Sequence, residues 1–191
     1  MWSIDKSFSF CYGHRVWSQQ LLEAYCESGD YQCKCRHLHG HEGLAHVYLQ
    51  SDHLERGMVT DFKHLGWLKN FLDTYLDHRF IVDSSDPLFD QLVVAPWKAL
   101  SSDTLLLKPV FVPGTPMIAG RVPDLMTLES FAKEPEYEAL EGFLVVDFLP
   151  TSENLAKWLY DCVREKMQMI NINVTKVEWN ETPKSRSTYG G

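Results

Sequence analysis

"HLHGHEGLAHVYLQS", residues 37–51, sets three histidines at alternate positions and runs on into a longer alternating pattern. Successive side chains of an extended chain point to opposite faces, so His39 and His41 share a face, with Gly40 relieving the crowding between them. Beyond them Leu44, His46, Tyr48 and Gln50 alternate with Ala45, Val47, Leu49 and Ser51, the period of a strand. Upstream, "IDKSFSFCYGH" (4–14) places Phe8, Phe10, Tyr12 and His14 on one face of another strand. If the two strands are neighbours, His14 is the third imidazole of a cluster. Three neutral imidazoles with a vacant fourth position suit a catalytic Zn²⁺. The same H-x-H spacing also occurs in solvated loops, so the residues alone leave both readings open.

Just before the histidines lie Cys33 and Cys35. A thiol with an ordinary pKa near ~8.5 is mostly protonated at neutral pH, and Lys34, Arg36 or a nearby cation would lower that value. Cys33, Cys35, His39 and His41 form a second possible metal set, a structural one, although the Cys33–Cys35 spacing is shorter than that of zinc fingers. Cys162 falls on an apolar helical stripe and reads as a small buried hydrophobe.

"VTDFKHLGWLKNFLDTYL" predicts a helix with Asp61 as N-cap and Phe62, Leu65, Leu68, Leu72 and Leu76 on one stripe. "PTSENLAKWLYDCVREKM" predicts a second, capped by Thr151 or Ser152, with Leu155, Trp158, Leu159, Cys162 and Val163 inward. Asp77 and His78 follow the first helix, where an Asp can orient a His for proton transfer. They also read as an ordinary polar helix end. "INVTKVEWNE" alternates as a last strand ending near Glu181, a carboxylate able to grip a pair of N–H groups or simply to face solvent. The connection from Trp17 to Lys34 is polar and reads as partly helical. Residues 84–144 carry four prolines in their middle yet also rich apolar clusters, which predicts a folded insertion rather than a linker.

At 191 residues the chain suits one domain with elaborations. A formal charge of −8 argues against broad nucleic-acid or anionic-membrane binding, so an anionic ligand needs a local basic cluster. The five cysteines are odd in number and form no disulfide framework, pointing to reduced thiols. The N-terminus lacks a basic region followed by a long apolar run, and a soluble cytoplasmic protein is expected.

Taken together, "FSFCYGHRV" (8–16), "CRHLHGH" (35–41), "GMVTDF" (57–62), "LDHRF" (76–80), "PTSENLAKWL" (150–159) and "ETPKSRSTY" (181–189) resemble the 6-pyruvoyl-tetrahydropterin synthase and 6-carboxy-5,6,7,8-tetrahydropterin synthase (QueD) family. The resemblance covers roughly residues 4–83 and 144–190. It implies an α+β tunnelling fold (T-fold): an antiparallel four-stranded sheet with two helices on one face, here a single domain over 1–191 with an insertion at about 84–144. It also implies assembly of identical chains into rings, hexameric in the family, with active sites between subunits.

By the same resemblance, His14, His39 and His41 hold Zn²⁺, the motif cysteine abstracts a proton, and Asp77 and His78 relay protons. Glu181, Thr151 and Ser152 contact the pterin. Cys35 fits the spacing of the carboxy-type synthases and Cys33 that of the pyruvoyl type; "CRHLHGH", "HRV" and "PTSE" are similar to the former. The implied substrate is 7,8-dihydroneopterin triphosphate, cleaved on the way to queuosine-type 7-deazaguanines. The alternatives are the pyruvoyl-type triphosphate lyase and a non-catalytic zinc-containing pterin-binding or scaffold protein. Lys34, Arg36, Arg79 and Arg186 are candidates to meet the triphosphate.

Overall fold

A computed structural model describes residues 1–26 and 33–191 of the chain. Part of the polar connection read as partly helical therefore lies outside the described residues. The strands are β1 (Trp2–His14), β2 (His39–Ser51), β3 (Arg79–Asp83), β4 (Leu107–Phe111), β5 (Ile118–Pro123), β6 (Phe143–Val146), β7 (Asn173–Thr182) and β8 (Ser185–Gly190). The α-helices are α1 (Gly66–Tyr75), α2 (Ala95–Leu100), α3 (Pro135–Glu141) and α4 (Ser152–Gln168). All eight strands join one sheet in the order β4-β5-β6-β3-β1-β2-β7-β8.

The four-stranded antiparallel unit expected from the sequence is present as β1-β2-β7-β8, and it is only half of the sheet. The expectation of four strands is corrected on this point. β3 runs parallel to β1 and meets it only at Tyr12 and Gly13, and β6 runs parallel to β3. Residues 84–144 leave the sheet after β3, fold into the β4–β5 hairpin with α2 and α3, and return as β6. The insertion is thus a long crossover built into the sheet.

Two apolar layers hold this arrangement. On one face α1 and α4 cover β1, β2 and β7, with Leu68, Leu72, Leu155 and Leu159 against Phe10, Val47 and Trp179. On the opposite face of the extension Val82, Phe143 and Val145 meet Trp97, Leu128 and Leu140 of the insertion. β3 and β6 are therefore buried on both sides, as parallel strands require, and their runs "FIV" (80–82) and "FLVV" (143–146) are continuously apolar instead of alternating.

Two local expectations are corrected. The first helix begins as a 3-10 turn, Phe62–Leu65, capped by the Asp61 carboxylate on the Lys63 N–H at 2.8 Å. A 3-10 turn rotates side chains by a different period from an α-helix, and Phe62 is left 48% exposed while the leucines of the stripe are buried. In β7 a bulge opposite Tyr48/Leu49 breaks the alternation, so Val174 and Val177 both face the core. At α4 the expectation holds: Thr151 Oγ1 accepts from the Asn154 N–H at 3.2 Å, and Cys162 is fully buried.

Gly43 marks a close approach. A Cβ there would lie 2.9 Å from both the Phe10 and Tyr12 rings. Gly43→Val is expected to lower unfolding free energy by about 1–3 kcal/mol, the range of an overpacked core, read as a shift in denaturant midpoint with an unchanged slope.

Candidate metal centre and adjoining pocket

Antiparallel pairing of β1 with β2 puts His14 directly opposite His39 and Tyr12 opposite His41. Directly opposed residues share a face, and this face is the one covered by α1 and α4. The three imidazoles therefore converge at the end of the buried face, with their candidate ligand atoms all within 4.8 Å of one another. The Tyr12 ring supports two of them, its centroid 5.2 Å from that of His14 and 5.6 Å from that of His41. Its hydroxyl accepts from Trp179 Nε1–H at 2.9 Å.

Two of the rings are oriented by backbone. His14 Nδ1 lies 2.6 Å from the Pro150 carbonyl and His39 Nδ1 lies 2.8 Å from the His37 carbonyl. A carbonyl only accepts, so both Nδ1 atoms carry the hydrogen, and in the neutral rings Nε2 keeps its lone pair. His41 Nε2 sits 3.1 Å from His14 Nε2. Because His14 Nε2 keeps its lone pair, the gap holds either a proton carried by His41 Nε2 or a cation. A tetrahedral zinc ion with Zn–N bonds of 2.0–2.1 Å holds its nitrogens about 3.3 Å apart, close to the observed separation. The donor set and its outer hydrogen bonds fit a zinc ion.

Burial holds His14 well below the usual imidazole pKa, at about 4, with His39 and His41 pushing the same way against the Pro150 hydrogen bond. His41 is also lowered, by burial first and His39 second. His14 stays neutral, as a metal ligand must, through mildly acidic pH. Linkage follows directly. Below pH 6.5 the unfolded chain takes up a proton that folded His14 refuses until about 4, so stability is lost as pH falls through that window. Metal-free protein is expected to hold its unfolding free energy above pH 7 and lose roughly 3 kcal/mol between pH 6.5 and 4 through this group, measured by denaturant titration.

A small pocket of about 130 Å³ adjoins the cluster, lined by His14, His39, Cys35, Glu181, Thr151 and Ser152, with Val16, Gln19 and Glu153 completing the wall. Glu181 Oε1 is 3.7 Å from His14 Nε2. Burial raises its carboxyl pKa, partly offset by His39. Ser152 Oγ is 2.7 Å from Ser187 Oγ, which ties the start of α4 to β8. Cys33 caps the 3-10 turn Lys34–Arg36 and is not among the lining residues, whereas Cys35 is.

The sequence argument expected the Cys35 thiol to be acidified by Lys34 and Arg36. In this chain it is pushed up to about 11, chiefly by burial and then by Cys33. Arg36 turns away to donate to the Gln19 carbonyl at 3.4 Å, and Lys34 is exposed. Of the triphosphate candidates, Arg186 lies 3.6 Å from Glu178 and Arg79 lines a separate cleft, so none of the four lines the pocket.

Asp77 and His78 form a pair, Oδ2 to Nδ1 at 3.1 Å, just past α1. The Cys11 N–H donates to Asp77 Oδ1 at 2.7 Å and is the largest cause of its lowered pKa. His78 takes a left-handed backbone (φ 57°), and its side chain is 81% exposed. The pair is not among the residues lining the pocket of Cys35. Sequence reasoning missed Val16, Gln19 and the carbonyls of Pro150 and His37, because backbone groups leave no signature in residue type.

The zinc-fitting triad, the adjoining thiol and the α+β sheet define a metal-centre fold of one known class. Over residues 3–191 the chain matches the family described as 6-pyruvoyl tetrahydropterin synthase, and it belongs to that family. It is 30% identical over 198 residues to the 6-carboxy-5,6,7,8-tetrahydropterin synthase of Aquifex aeolicus, covering 98% of this chain and 97% of that one. A stretch of 90 residues, 44% of this chain and 60% of the relative, is 37% identical to the protein of the same name from Synechocystis. The crystal structure of an uncharacterised protein from Wolinella succinogenes superposes with a TM-score of 0.83 at 44% identity, covering 99% of this chain and 97% of that one. The Caenorhabditis elegans 6-pyruvoyl tetrahydropterin synthase gives 0.50 at 22% identity, covering 99% and 94%, a likeness of fold. The fold is the T-fold. Among the described residues no helix is long and apolar enough to cross a membrane.

Proposed function

We propose that the chain is a zinc-dependent 6-carboxy-5,6,7,8-tetrahydropterin synthase of the cytoplasm, a lyase converting 7,8-dihydroneopterin triphosphate and water to 6-carboxytetrahydropterin, acetaldehyde and triphosphate for queuosine-type biosynthesis. The observation that carries it is the convergence of three imidazoles, two of them oriented by carbonyls, beside a pocket that His14 and His39 line together with Cys35 and Glu181. The Aquifex relative, similar over nearly its whole length, supports the choice of reaction. The lining of the pocket by Cys35 and not Cys33 supports the carboxy-type over the pyruvoyl-type reading.

Zinc held by His14, His39 and His41 would supply Lewis-acid polarisation of side-chain oxygens and a positive charge beside the thiol. Cys35, as thiolate, takes the proton from the substrate side chain. Glu181 accepts the pterin N–H pair, and Thr151 and Ser152 at the head of α4 flank the ring. Asp77 holds His78 for proton return.

A pocket of about 130 Å³ is below the range of small-molecule sites, and Asp77 and His78 lie outside it. The outer edge of β1 before Tyr12 and that of β8 carry no strand partner among the described residues. We take the domain, 1–191 with its insertion at 84–144, to assemble into a homo-oligomeric ring in which a neighbouring copy brings its Asp77–His78 pair to each pocket. Incubation of zinc-loaded protein with 7,8-dihydroneopterin triphosphate tests the reading. 6-Carboxytetrahydropterin with stoichiometric acetaldehyde supports it. 6-Pyruvoyltetrahydropterin without acetaldehyde assigns the pyruvoyl-type lyase, and binding without turnover assigns a non-catalytic protein.

A further inference from the structure

The insertion is tied to the pocket at its root. β1, β3 and β6 run parallel, so His14, Asp83 and the loop after Val146 emerge at the same end of the sheet. From the end of β1 the chain continues as Arg15, Val16 and Trp17. Arg15 Nε lies 3.2 Å from Asp86 Oδ2, a pair whose side chains are 11% and 1% exposed. Trp17 Nε1–H donates to Asp83 Oδ2 at 3.0 Å. Between these two anchors the Val16 N–H donates to the Cys35 carbonyl at 2.8 Å, while the Val16 side chain lines the pocket.

The two carboxylates are themselves fixed. Asp83 Oδ1 accepts from the Ser85 N–H at 2.9 Å, Asp86 Oδ1 accepts from the Leu88 N–H at 2.8 Å, and the Asp86 N–H donates to the Asp83 carbonyl at 3.0 Å. Both residues are buried. A buried ion pair adds little net stability over a well-packed apolar pair of the same size, but Arg15 Nε and Asp86 Oδ2 are both buried without a hydrogen-bond partner, so the charge attraction between them at 3.2 Å, which neither can replace with water, is what holds Arg15 at the carboxylate.

We infer that Asp83 and Asp86, at the root of the insertion, are positioning residues that hold the Cys35 turn against the pocket through Arg15, Val16 and Trp17. The chain of contacts is continuous: carboxylate, side chain of Arg15 or Trp17, Val16 amide, Cys35 carbonyl. Cys35 has few other tethers. The Lys34–Arg36 turn contains no buried residue, and its second cross-contact is the longer Arg36-to-Gln19 hydrogen bond, which lands on the same segment. Loss of an anchor frees the segment, and with it the Val16 amide on the Cys35 carbonyl. The consequence for turnover rests on the proposal that Cys35 acts in the reaction; the mechanical coupling does not.

The test uses zinc-loaded full-length protein carrying Asp86→Asn, Asp83→Asn or Trp17→Phe, the last removing one N–H while keeping most of the ring. Asp147→Asn, at the neighbouring loop and bonded to Ser84, is the control. Turnover, zinc per chain and iodoacetamide labelling of Cys35, assigned by peptide mass spectrometry on metal-free samples, are measured. Expected are a fall in kcat of about tenfold for the aspartate variants and threefold for Trp17→Phe, KM within twofold, unchanged zinc, and Cys35 labelling several-fold faster; the control matches the parent. Unchanged Cys35 labelling in Trp17→Phe and in whichever aspartate variants fold overturns the inference, as does a loss of activity that only tracks zinc loss. Faster labelling combined with full activity of Cys35→Ala leaves the coupling standing and removes Cys35 from the proposed reaction, so the two failures are distinct.

Discussion

Cys35→Ala is expected to lower kcat by about 10² to 10⁴, the contribution of a positioned general base, with zinc content and KM little changed. The thiol faces the pocket with Glu181 and His39, and its removal leaves the imidazole cluster intact. Its pKa of about 11 in the metal-free chain leaves it almost wholly protonated at pH 7. On the proposed reading, a zinc ion at the three imidazoles would supply the positive charge that activates the thiol, since neither Lys34 nor Arg36 has a hydrogen bond to the sulfur among the described residues. Cys35 alkylation in the metal-free protein is therefore expected to show a midpoint near 11, falling by two or more units in zinc-loaded protein. Cys33→Ala, by contrast, should keep most of the activity. A Cys33→Ala variant as inactive as Cys35→Ala would make the pair the functional unit.

The second large effect is His39→Ala. The ring is half-buried, so its removal does not open the core, unlike that of His14, which is 1% exposed and holds the Pro150 carbonyl. Loss of outer-shell partners costs about 10–100-fold in metal affinity, and loss of a direct ligand should exceed that. Dialysed His39→Ala protein is expected to keep less than about a tenth of a zinc per chain and to lose activity at least as far as Cys35→Ala, with an unchanged circular dichroism spectrum. Retention of zinc at the parental level would exclude His39 from the ligand set.

Much of the centre was legible because it follows from strand geometry. Alternation in 4–14 and 37–51 fixed the faces, and antiparallel pairing then had to bring His14 to His39. α4 was legible for the same kind of reason: Pro150, Thr151 and a regular apolar stripe specify its start and inward face. β3 and β6 were hidden because strands buried on both sides do not alternate. β8, "SRSTYG", was hidden because its side chains are mostly exposed and carry no apolar period. The insertion's hairpin was broken up by prolines that fall on its strands and turns.

At the site, residue identity revealed what side chains supply and missed what the backbone supplies. The carbonyls of Pro150 and His37 orient the His14 and His39 rings, yet any residue offers a carbonyl. Asp77 and His78 were recognisable as a pair, but their position outside the pocket depends on the turn after α1, where His78 adopts a left-handed backbone. Asp83 and Asp86 carry no signal of their own in the sequence, because their role depends on Arg15 and Trp17 reaching them from the end of β1.

X-ray absorption at the zinc edge, with the metal counted per chain in the same sample, reaches the centre most directly. One zinc per chain with three imidazole nitrogens at 2.0–2.1 Å, and no sulfur in the first shell, is the result expected from His14, His39 and His41 beside an unligated Cys35. A sulfur ligand near 2.3 Å would place Cys35 or Cys33 on the metal, and absence of bound zinc would contradict the centre itself.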